Sequence, residues 1–294
     1  MPVTEAAVHE QLKQVIDPEL FVNILGAIRG ETGLAFGNVV GSNISNLSLV
    51  LGAAALFRAI TIQSDLVLRE VPLLLLATTA TTAMALDGVL DGSAPLLSRT
   101  DSLVLLLLFG VFVYITLLDL LRAPKRDPLL QDIEESLEIT VPEPGRFGWA
   151  LALAGIVTLF VGGEMTISSG TALADLFGVS PTIVGLFVVA VGTSMPELVT
   201  SVIAAMRGES DLALGNVVGS NIFNTLLVLP VSGLFTPIAI PAGGLADLAL
   251  SWALAAALIP LFLFGKAQLS RRAGAVAVLL YFAYAGLRIG YGVT

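Results

Sequence analysis

Two glutamates that each follow a proline, Glu19 and Glu197, are the residues with the clearest chemical potential in this sequence. Each opens an apolar stretch, and an isolated carboxylate in hydrocarbon costs several kcal/mol, so such a residue is functional by default. Glu197 lies three and four residues after Ser194 and Thr193, so we expect all three to share one helical face. Their carboxylate and hydroxyl oxygens are the ligand type that hard cations prefer.

A helix break is predicted at Pro196, directly before the second of these glutamates. Proline has no amide hydrogen, so the carbonyl of Gly192 loses its helical partner. A freed carbonyl inside a membrane needs another partner, and an ion serves. The run from Ser194 to Glu197 also fits a capping box at a helix start. Both interpretations hold together, because a broken helix has a second start.

Amide and hydroxyl side chains follow each proline–glutamate pair at the same spacing. Together with the glutamates they supply only oxygen ligands, which favours Ca²⁺ or Na⁺; Ca²⁺ takes about 6–8 oxygens. Two glutamates would neutralise the charge of one Ca²⁺. The side chains are Ser42, Asn43 and Asn46 in the first copy and Ser220, Asn221 and Asn224 in the second.

Other polar residues of these stretches have more than one interpretation. Asn38 and Asn216 either bind the ion or form hydrogen bonds between closely packed helices. Glu164 either lines an ion path or extends to water. The remaining charged residues are predicted to form interfacial pairs: Arg29 with Glu31, and Arg207 with Glu209.

The composition indicates a membrane protein. Of 294 residues, 56% are hydrophobic and only 13% are charged, against about a quarter in soluble proteins, and the mean hydropathy is +0.92. The net charge of −9 does not suggest nucleic acid as a partner. The chain has no Cys, and His9 is the only His, which excludes disulfides and thiolate sites and argues against a catalytic triad or zinc enzyme. We therefore predict no enzyme activity and no cofactor.

Apolar runs of membrane-spanning length predict an all-α, polytopic fold with about nine transmembrane helices. A polar stretch with four prolines, residues 123–146, separates the fourth span from the fifth and is interpreted as a solvated linker. The predicted spans are residues 19–28, 34–59, 71–90, 102–121, 147–176, 182–206, 212–235, 245–264 and 273–288.

Basic residues alternate between the two sides of these spans. Ten Lys and Arg residues lie in the gaps on one side and three in the gaps on the other. By the positive-inside rule, the side with ten is cytoplasmic. The linker is therefore predicted to be cytoplasmic and the C-terminus to lie outside a cell membrane.

The chain contains an internal repeat. Residues 18–51 and 196–229 are identical at roughly 21 of 34 positions without a gap. Five predicted spans separate their starting points, so the second copy enters the membrane from the opposite side. Inverted repeats are typical of secondary transporters, whose binding site lies between the repeats near the midplane. We expect Glu19 and Glu197 to approach each other there, on helices that run in opposite directions.

Three motifs resemble the sodium/calcium exchanger branch of the calcium/cation antiporter superfamily. They are GTSMPEL at 192–198, GNVVGSNIFN at 215–224 and GNVVGSNISN at 37–46. The resemblance implies ten helices in two inverted fives, two sliding gate helices, and Na⁺-driven Ca²⁺ export by alternating access. Carried over by position, it implies the ligands Glu19, Ser42, Asn46, Thr193, Ser194, Glu197, Ser220 and Asn224.

The sequence departs from the family pattern in two places. Some members carry Asp at the position of Asn224, which leaves the stoichiometry and the ion preference open. The family also has a helix and a Gly-Thr-Ser before its first Pro-Glu, where this sequence has Gln14, Val15 and Ile16. The fold is therefore expected to be the ten-helix fold without its first helix, with two hydroxyl ligands missing and transport impaired.

Residues 1–17 are predicted to form a short amphipathic helix outside the membrane. Residues 1–20 also resemble the start of MIP18-type iron–sulfur assembly domains, which suggests a foreign segment. The predicted organisation is this segment, a truncated first repeat at 18–122, the linker at 123–146 and a second repeat at 147–294.

The function predicted from the sequence is exchange of Na⁺ for Ca²⁺ across a membrane. Two alternatives remain: exchange of H⁺ for Ca²⁺, because both glutamates can be protonated, and an inactive membrane fragment that binds cations without cycling. The expected partners are Ca²⁺, Na⁺ and the lipid bilayer, with no nucleic acid and no obligate protein partner.

Overall fold

The structure, a computed structural model, describes residues 18–61, 65–122, 146–263 and 268–292. The predicted amphipathic segment at 1–17 lies outside the described residues, as does nearly all of the predicted linker. Arg146, which the sequence placed at the end of the linker, instead begins a helix.

The described part of the chain is almost entirely helical. The α-helices are α1 (Pro18–Ile28), α2 (Thr32–Ser45), α3 (Leu51–Phe57), α4 (Asp65–Leu90), α5 (Arg99–Arg122), α6 (Arg146–Phe177), α7 (Pro181–Val184), α8 (Ala190–Thr193), α9 (Met195–Arg207), α10 (Ser210–Phe223), α11 (Leu229–Phe235), α12 (Gly244–Leu263) and α13 (Arg271–Gly292). Three π-helical segments join some of them: π1 (Asn46–Val50), π2 (Gly185–Val189) and π3 (Asn224–Val228). Four short strands complete the description: β1 (Ile60–Thr61), β2 (Leu96–Leu97), β3 (Ile238–Ala239) and β4 (Gln268–Leu269).

The helices confirm a polytopic membrane fold. Five described helices are long and apolar enough to cross a bilayer: Thr32–Phe57, Arg69–Leu90, Arg99–Leu118, Ser210–Phe235 and Arg271–Gly290. A sixth is added if the pair Val161–Phe177 and Pro181–Thr193, bent by 120°, counts as one span, and two shorter apolar helices cover Glu19–Ile28 and Gly244–Pro260. Each predicted span thus corresponds to a described helical segment, in the same order.

The distribution of polar and apolar side chains is the reverse of that in a protein surrounded by water. Leu90, Leu107 and Leu279 are 82%, 71% and 68% exposed, whereas Glu19 and Asn46 are 2% and 0% exposed. In water, large aliphatic side chains concentrate inside and carboxylates outside. An apolar exterior around a polar interior suits a lipid environment and an ion site within the bundle.

The two repeats contact each other through equivalent elements. Strand β1 pairs antiparallel with β4, and β2 pairs antiparallel with β3. Since β1 and β3 occupy equivalent positions after the GNVVGSN helices, each pairing joins one repeat to the other. Helix α3 packs against α13, and the equivalent helix α11 packs against α5. The repeats therefore form one body around an approximate twofold axis.

Two arginines add hydrogen bonds between the two repeats at the helix ends. Arg99, at the start of α5, donates a hydrogen bond to the carbonyl of Phe235 (3.1 Å), and Arg271, at the start of α13, donates to the carbonyl of Phe57 (2.8 Å). Phe57 and Phe235 are the last residues of α3 and α11, where carbonyls lack helical partners. A cation at such a helix end is also favoured by the helix dipole.

The glycines of the GNVVGSN motif allow two backbones to touch. A methyl group at Gly41 would lie 2.5 Å from the carbonyl oxygen of Leu186, and one at Gly185 would lie 2.6 Å from that of Leu34. Helix α2 therefore packs directly on π2, which precedes Thr193 and Ser194. This contact sets the distance between the polar side chains of α2 and those of the broken helix.

Gly41→Ala should disrupt this packing. The added methyl group meets backbone, which cannot rotate away, and overpacking of this kind costs about 1–3 kcal/mol. We expect a lower unfolding temperature for the detergent-solubilised variant, measured by thermal denaturation. Gly110→Ala on α5 is the control, since a methyl group there meets nothing within 4 Å. Equal unfolding temperatures for Gly41→Ala and the parent would show that the close contact is not required.

Candidate functional site

The site begins where the broken helix of the second repeat meets the first helix of the first repeat. Helix α8 ends at Thr193 and α9 begins at Met195, which confirms the predicted break before Pro196. The Ser194 side chain makes no capping hydrogen bond, so the capping-box interpretation is wrong for this residue. Its hydroxyl instead lies 3.4 Å from Oε1 of Glu19, to which it donates.

Thr193 joins the same cluster. Its hydroxyl donates to Oε1 of Glu19 at 3.1 Å, and Oδ1 of Asn38 and the carbonyl oxygen of Ala190 each lie 3.2 Å from it. The hydroxyl of Ser42 is 3.5 Å away. Side chains from α1 and α2 therefore converge on the end of α8, so both repeats contribute to one cluster.

This cluster gathers several oxygen atoms around one hydroxyl. Four oxygens, on Glu19, Asn38, Ala190 and Ser42, lie within 3.1–3.5 Å of the Thr193 hydroxyl. Oxygens gathered in this way suit a bound cation, which several of them can coordinate at once. Within the described residues no three acidic, His or Cys side chains form a metal-binding group. The candidate metal ligands in this cluster are therefore mostly hydroxyl and amide oxygens.

The two hydroxyls reach the glutamate of the other repeat. The sequence placed Thr193 and Ser194 on the face of Glu197. In the structure they contact Glu19 of the other repeat. Glu197 lies in the first turn of α9 and is half-buried, and Nδ2 of Asn216 is 3.4 Å from its carbonyl oxygen.

A chain of side-chain amides crosses between α2 and the α10–π3 segment. Nδ2 of Asn46 donates to Oδ1 of Asn221 (3.0 Å), and Nδ2 of Asn221 donates to the carbonyl of Asn43 (3.0 Å). Nδ2 of Asn43 then donates to Oγ1 of Thr225 (2.8 Å). Asn43 and Asn221, which the sequence offered among the oxygen-bearing side chains but the family resemblance did not include as ligands, thus hold the two repeats together.

Asn46 and Asn224 are among the asparagines with buried polar atoms that make no hydrogen bond in the described structure. Oδ1 of Asn46 is one, and both Oδ1 and Nδ2 of Asn224 are others; the two residues are 0% and 1% exposed. An unsatisfied buried polar atom costs about 1–3 kcal/mol, so each needs a partner. Both residues begin a π-helical segment, π1 and π3, and such segments often occur at functional sites. These are the amide ligands that the sequence predicts.

Asn38 and Asn216 occupy equivalent positions but make different contacts. Asn38 belongs to the cluster around Thr193. Asn216 donates to the Ser201 hydroxyl at 3.0 Å and thereby links α10 to α9. The interhelical interpretation is therefore supported for Asn216, while Asn38 lies at the site. Sequence reasoning did not distinguish them, because the distinction depends on π2 and α8 packing against α2.

A cavity of about 500 Å³ leads to this cluster between α1, α6 and the broken helix. Its lining includes Val22, Gly163, Thr166 and Thr193, so it reaches the site from the side of α6. Ser220 is 8% exposed and is not among the residues that line this cavity.

An ion pair closes one edge of this region. Arg29, after α1, pairs with Glu164 of α6, so the predicted pairing of Arg29 with Glu31 is not the one that forms. Glu164 does not line the cavity, although its neighbours Gly163 and Met165 do. The pair is partly exposed, and exposed pairs contribute about 0–1 kcal/mol, so it can open and close readily.

The fold and the cluster together define a polytopic membrane transporter for cations. The family model described as "Sodium/calcium exchanger protein" matches residues 16–118 and 147–290. The chain belongs to the sodium/calcium exchanger family.

Individual relatives agree with this assignment. The chain is 37% identical over 220 residues to "Putative antiporter CaxA" of Alkalimonas amylolytica, covering 75% of this chain and 66% of the relative. It is 28% identical over 247 residues to "Sodium/calcium exchanger MaX1" of Methanosarcina acetivorans, covering 76% and 71%. The chain thus spans about two-thirds of the length of these curated relatives.

A solved structure shows the same fold. The sodium-calcium exchanger NCX_Mj, soaked with 10 mM Na⁺ and 10 mM Sr²⁺, matches with a TM-score of 0.64 and 26% identity, covering 92% of this chain and 81% of that one. The resemblance of residues 1–20 to MIP18-type domains is not borne out, and the family match begins at residue 16.

Removal of the Thr193 hydroxyl should weaken cation binding. Thr193→Val keeps the shape and loses the oxygen that lies closest to Glu19, and a hydrogen bond to a charged group contributes about 1.5–3 kcal/mol. We expect Ca²⁺ affinity, measured by calorimetry on purified protein, to fall about tenfold or more. Thr193→Ser should retain most of it.

The control is Thr200→Val, an exposed position on α9. Unchanged affinity in Thr193→Val would remove Thr193 from the site, and an equal loss in both valine variants would indicate a general effect on the helix.

Proposed function

We propose that the chain exchanges Na⁺ for Ca²⁺ across a membrane by alternating access. The observation that carries this proposal is the oxygen cluster around Thr193, to which both repeats contribute and in which four oxygens lie within 3.1–3.5 Å of one hydroxyl. Membership of the sodium/calcium exchanger family supports it. So does the relative MaX1, which is itself named a sodium/calcium exchanger.

The proposed ligands are those that the sequence predicts, in two groups related by the repeat. Each group combines a glutamate with hydroxyl and amide oxygens, a set that suits Ca²⁺ and Na⁺ and offers no nitrogen or sulfur. Asn38 joins them because it lies 3.2 Å from Thr193. The predicted set is Glu19, Ser42 and Asn46 with Thr193, Ser194, Glu197, Ser220 and Asn224.

Charge balance supports exchange at one shared site. Among these ligands only Glu19 and Glu197 are acidic, so the site can balance two positive charges. One Ca²⁺ or two Na⁺ meet this requirement, and each would use the same oxygens. Because a buried carboxylate pair without a counter-charge is costly, the site favours being loaded with one ion type or the other while it is closed.

Exchange of H⁺ for Ca²⁺ is the second candidate, since both carboxylates can also be neutralised by protons. Asn46 and Asn224 are neutral, so the ligand set contains only two acidic residues. Two protons are therefore enough to neutralise its charge, which favours this candidate. The relative CaxA is named only as a putative antiporter, without an ion.

Helix α6 is proposed as a moving gate. It packs along α1, and Gly163 lies near the backbone of Val22 and Phe21, which permits sliding contact. The cavity of about 500 Å³ lies along this contact. A displacement of α6 against α1 would change access to Thr193 without disturbing the amide chain between α2 and α10.

Glu197→Gln tests the exchange. The substitution keeps the size of the side chain and removes its charge, and the loss of Coulomb attraction to a bound cation should lower transport about a hundredfold or more. The measurement is ⁴⁵Ca²⁺ uptake into proteoliposomes driven by an outward Na⁺ gradient. Glu209→Gln is the control, as a glutamate in the turn between α9 and α10. Uptake by Glu197→Gln at the level of the parent would refute the ligand assignment.

The same assay distinguishes the candidate functions. Faster uptake with a Na⁺ gradient than with a pH gradient supports Na⁺ exchange, and the opposite order indicates H⁺ exchange. Binding of Ca²⁺ by the parent chain without uptake under either gradient would correspond to the inactive alternative.

We further propose that the chain lies in the cell membrane with residues 123–146 in the cytoplasm and the C-terminus outside. The distribution of basic residues supports this orientation. Because the chain has no Cys, single cysteines can report it without background. We expect a membrane-impermeant maleimide to label Ser93→Cys on intact cells, and Gln131→Cys only after permeabilisation. The reverse pattern would invert the orientation.

A further inference from the structure

A second cavity, of about 10 Å³, lies outside the proposed ion site. It is lined by residues of α2, α4, π3, α11 and α12 and does not include Thr193. Its polar lining comes from both repeats and consists of Asn43, Thr78, Thr81, Thr82, Thr225 and Ser251.

Thr81 differs from the other threonines of α4. Thr78, Thr79 and Thr82 each donate to a carbonyl one turn earlier in their own helix, at 3.0, 2.6 and 2.7 Å. Thr81 is 2% exposed, and its hydroxyl makes no hydrogen bond within the described structure. It therefore offers both a proton and a lone pair to whatever occupies the cavity.

Asn43 offers a second unsatisfied atom. It is 4% exposed, and its Nδ2 donates to Thr225 at 2.8 Å. Its Oδ1 makes no hydrogen bond within the described structure. The cavity therefore brings together a carbonyl-type acceptor and a hydroxyl that can donate or accept, each of which costs about 1–3 kcal/mol if left unsatisfied.

We propose that this cavity binds one water molecule, which donates to Oδ1 of Asn43 and accepts from the hydroxyl of Thr81. A volume of about 10–15 Å³ is what a single water requires, and a buried water needs 2–4 polar partners, which Thr225 and Ser251 can complete. A monovalent cation fits less well. No carboxylate lines the cavity, and a cation cannot accept the proton of Thr81.

This water would position the proposed ion ligands. It fixes the side-chain amide of Asn43, the main-chain carbonyl of the same residue accepts from Nδ2 of Asn221, and Oδ1 of Asn221 in turn accepts from the ligand Asn46. Thr81 is therefore a positioning residue, which acts on the ion through three hydrogen-bonded partners. Its effect on Ca²⁺ affinity rests on the proposed function, whereas the water itself does not.

The water is tested directly by a structure of the parent protein at a resolution that shows ordered solvent. The expected result is one density peak within hydrogen-bonding distance of both Oδ1 of Asn43 and Oγ1 of Thr81, present in Na⁺-free buffer and without an anomalous signal after soaking in Tl⁺. The absence of such a peak would overturn the proposal, and a Tl⁺ signal there would identify a cation site instead. This experiment needs no variant, and its result does not depend on whether the chain transports Ca²⁺.

The positioning role is tested by substitution. Thr81→Val removes the hydroxyl at constant shape, and loss of one net hydrogen bond of about 1 kcal/mol corresponds to a Ca²⁺ affinity reduced about fivefold. Thr81→Ser should restore the affinity of the parent. Thr171→Val on α6 is the control, since that hydroxyl already donates to its own helix (3.1 Å) and lies outside this cavity.

Each outcome of the substitutions decides the role. Parent affinity in Thr81→Val, or failure of Thr81→Ser to rescue, would overturn it. If Thr81→Val does not fold, the water density and the Ca²⁺ affinity are both measured for Thr81→Ser and compared with those of the parent. A serine variant that lacks the water and keeps the affinity of the parent would overturn the positioning role.

Discussion

The structure depends on one constraint: polar groups held inside a membrane bundle must find partners within it. Water cannot solvate them there, so each buried carboxylate, amide or hydroxyl needs a hydrogen bond or an ion. Some bond within their own helix, and a group of asparagines, serines and threonines forms hydrogen bonds across the seam between the repeats. Around Thr193 four oxygens lie within 3.1–3.5 Å of one hydroxyl. The seam therefore joins the two repeats and also gathers the oxygens of the proposed cation site.

Much of this was predictable from the sequence, because the repeat and its motifs are local features. The order of the helices, the break before Pro196 and the polar positions in the GNVVGSN stretches follow from hydrophobic runs, proline chemistry and direct comparison of the two copies. The exchange of partners between repeats was expected only in outline. The pairing of Arg99 with Phe235 and of Arg271 with Phe57 involves residues more than a hundred positions apart, with no local signal.

The errors of sequence reasoning come from geometry that a helical wheel does not contain. Sequence reasoning placed Thr193 and Ser194 beside Glu197 and did not anticipate their contacts with Glu19 of the other repeat. Arg29 was assigned to a near neighbour, Glu31, yet it pairs with Glu164 because α6 packs along α1. Thr81 carried no signal at all, since four threonines in one apolar helix look alike until their hydroxyl partners are known. Burial and partner geometry, rather than residue type, separate it from the others.

The differences between the two repeats indicate how such a site could support exchange rather than leakage. Gly41 packs against Leu186, whereas a methyl group at the equivalent Gly219 meets nothing within 4 Å among the described residues. Asn38 likewise lies at the oxygen cluster, while Asn216 links two helices of its own repeat. A perfectly symmetric site would be equally open to both membrane faces, which allows leakage rather than exchange. In the proposed mechanism the amide chain from Asn46 to Thr225 is the fixed part, and the contact between α1 and α6 is the part that moves. Because the acidic ligands need a counter-charge before that contact closes, movement of the gate and loading of the site are coupled through the same carboxylates.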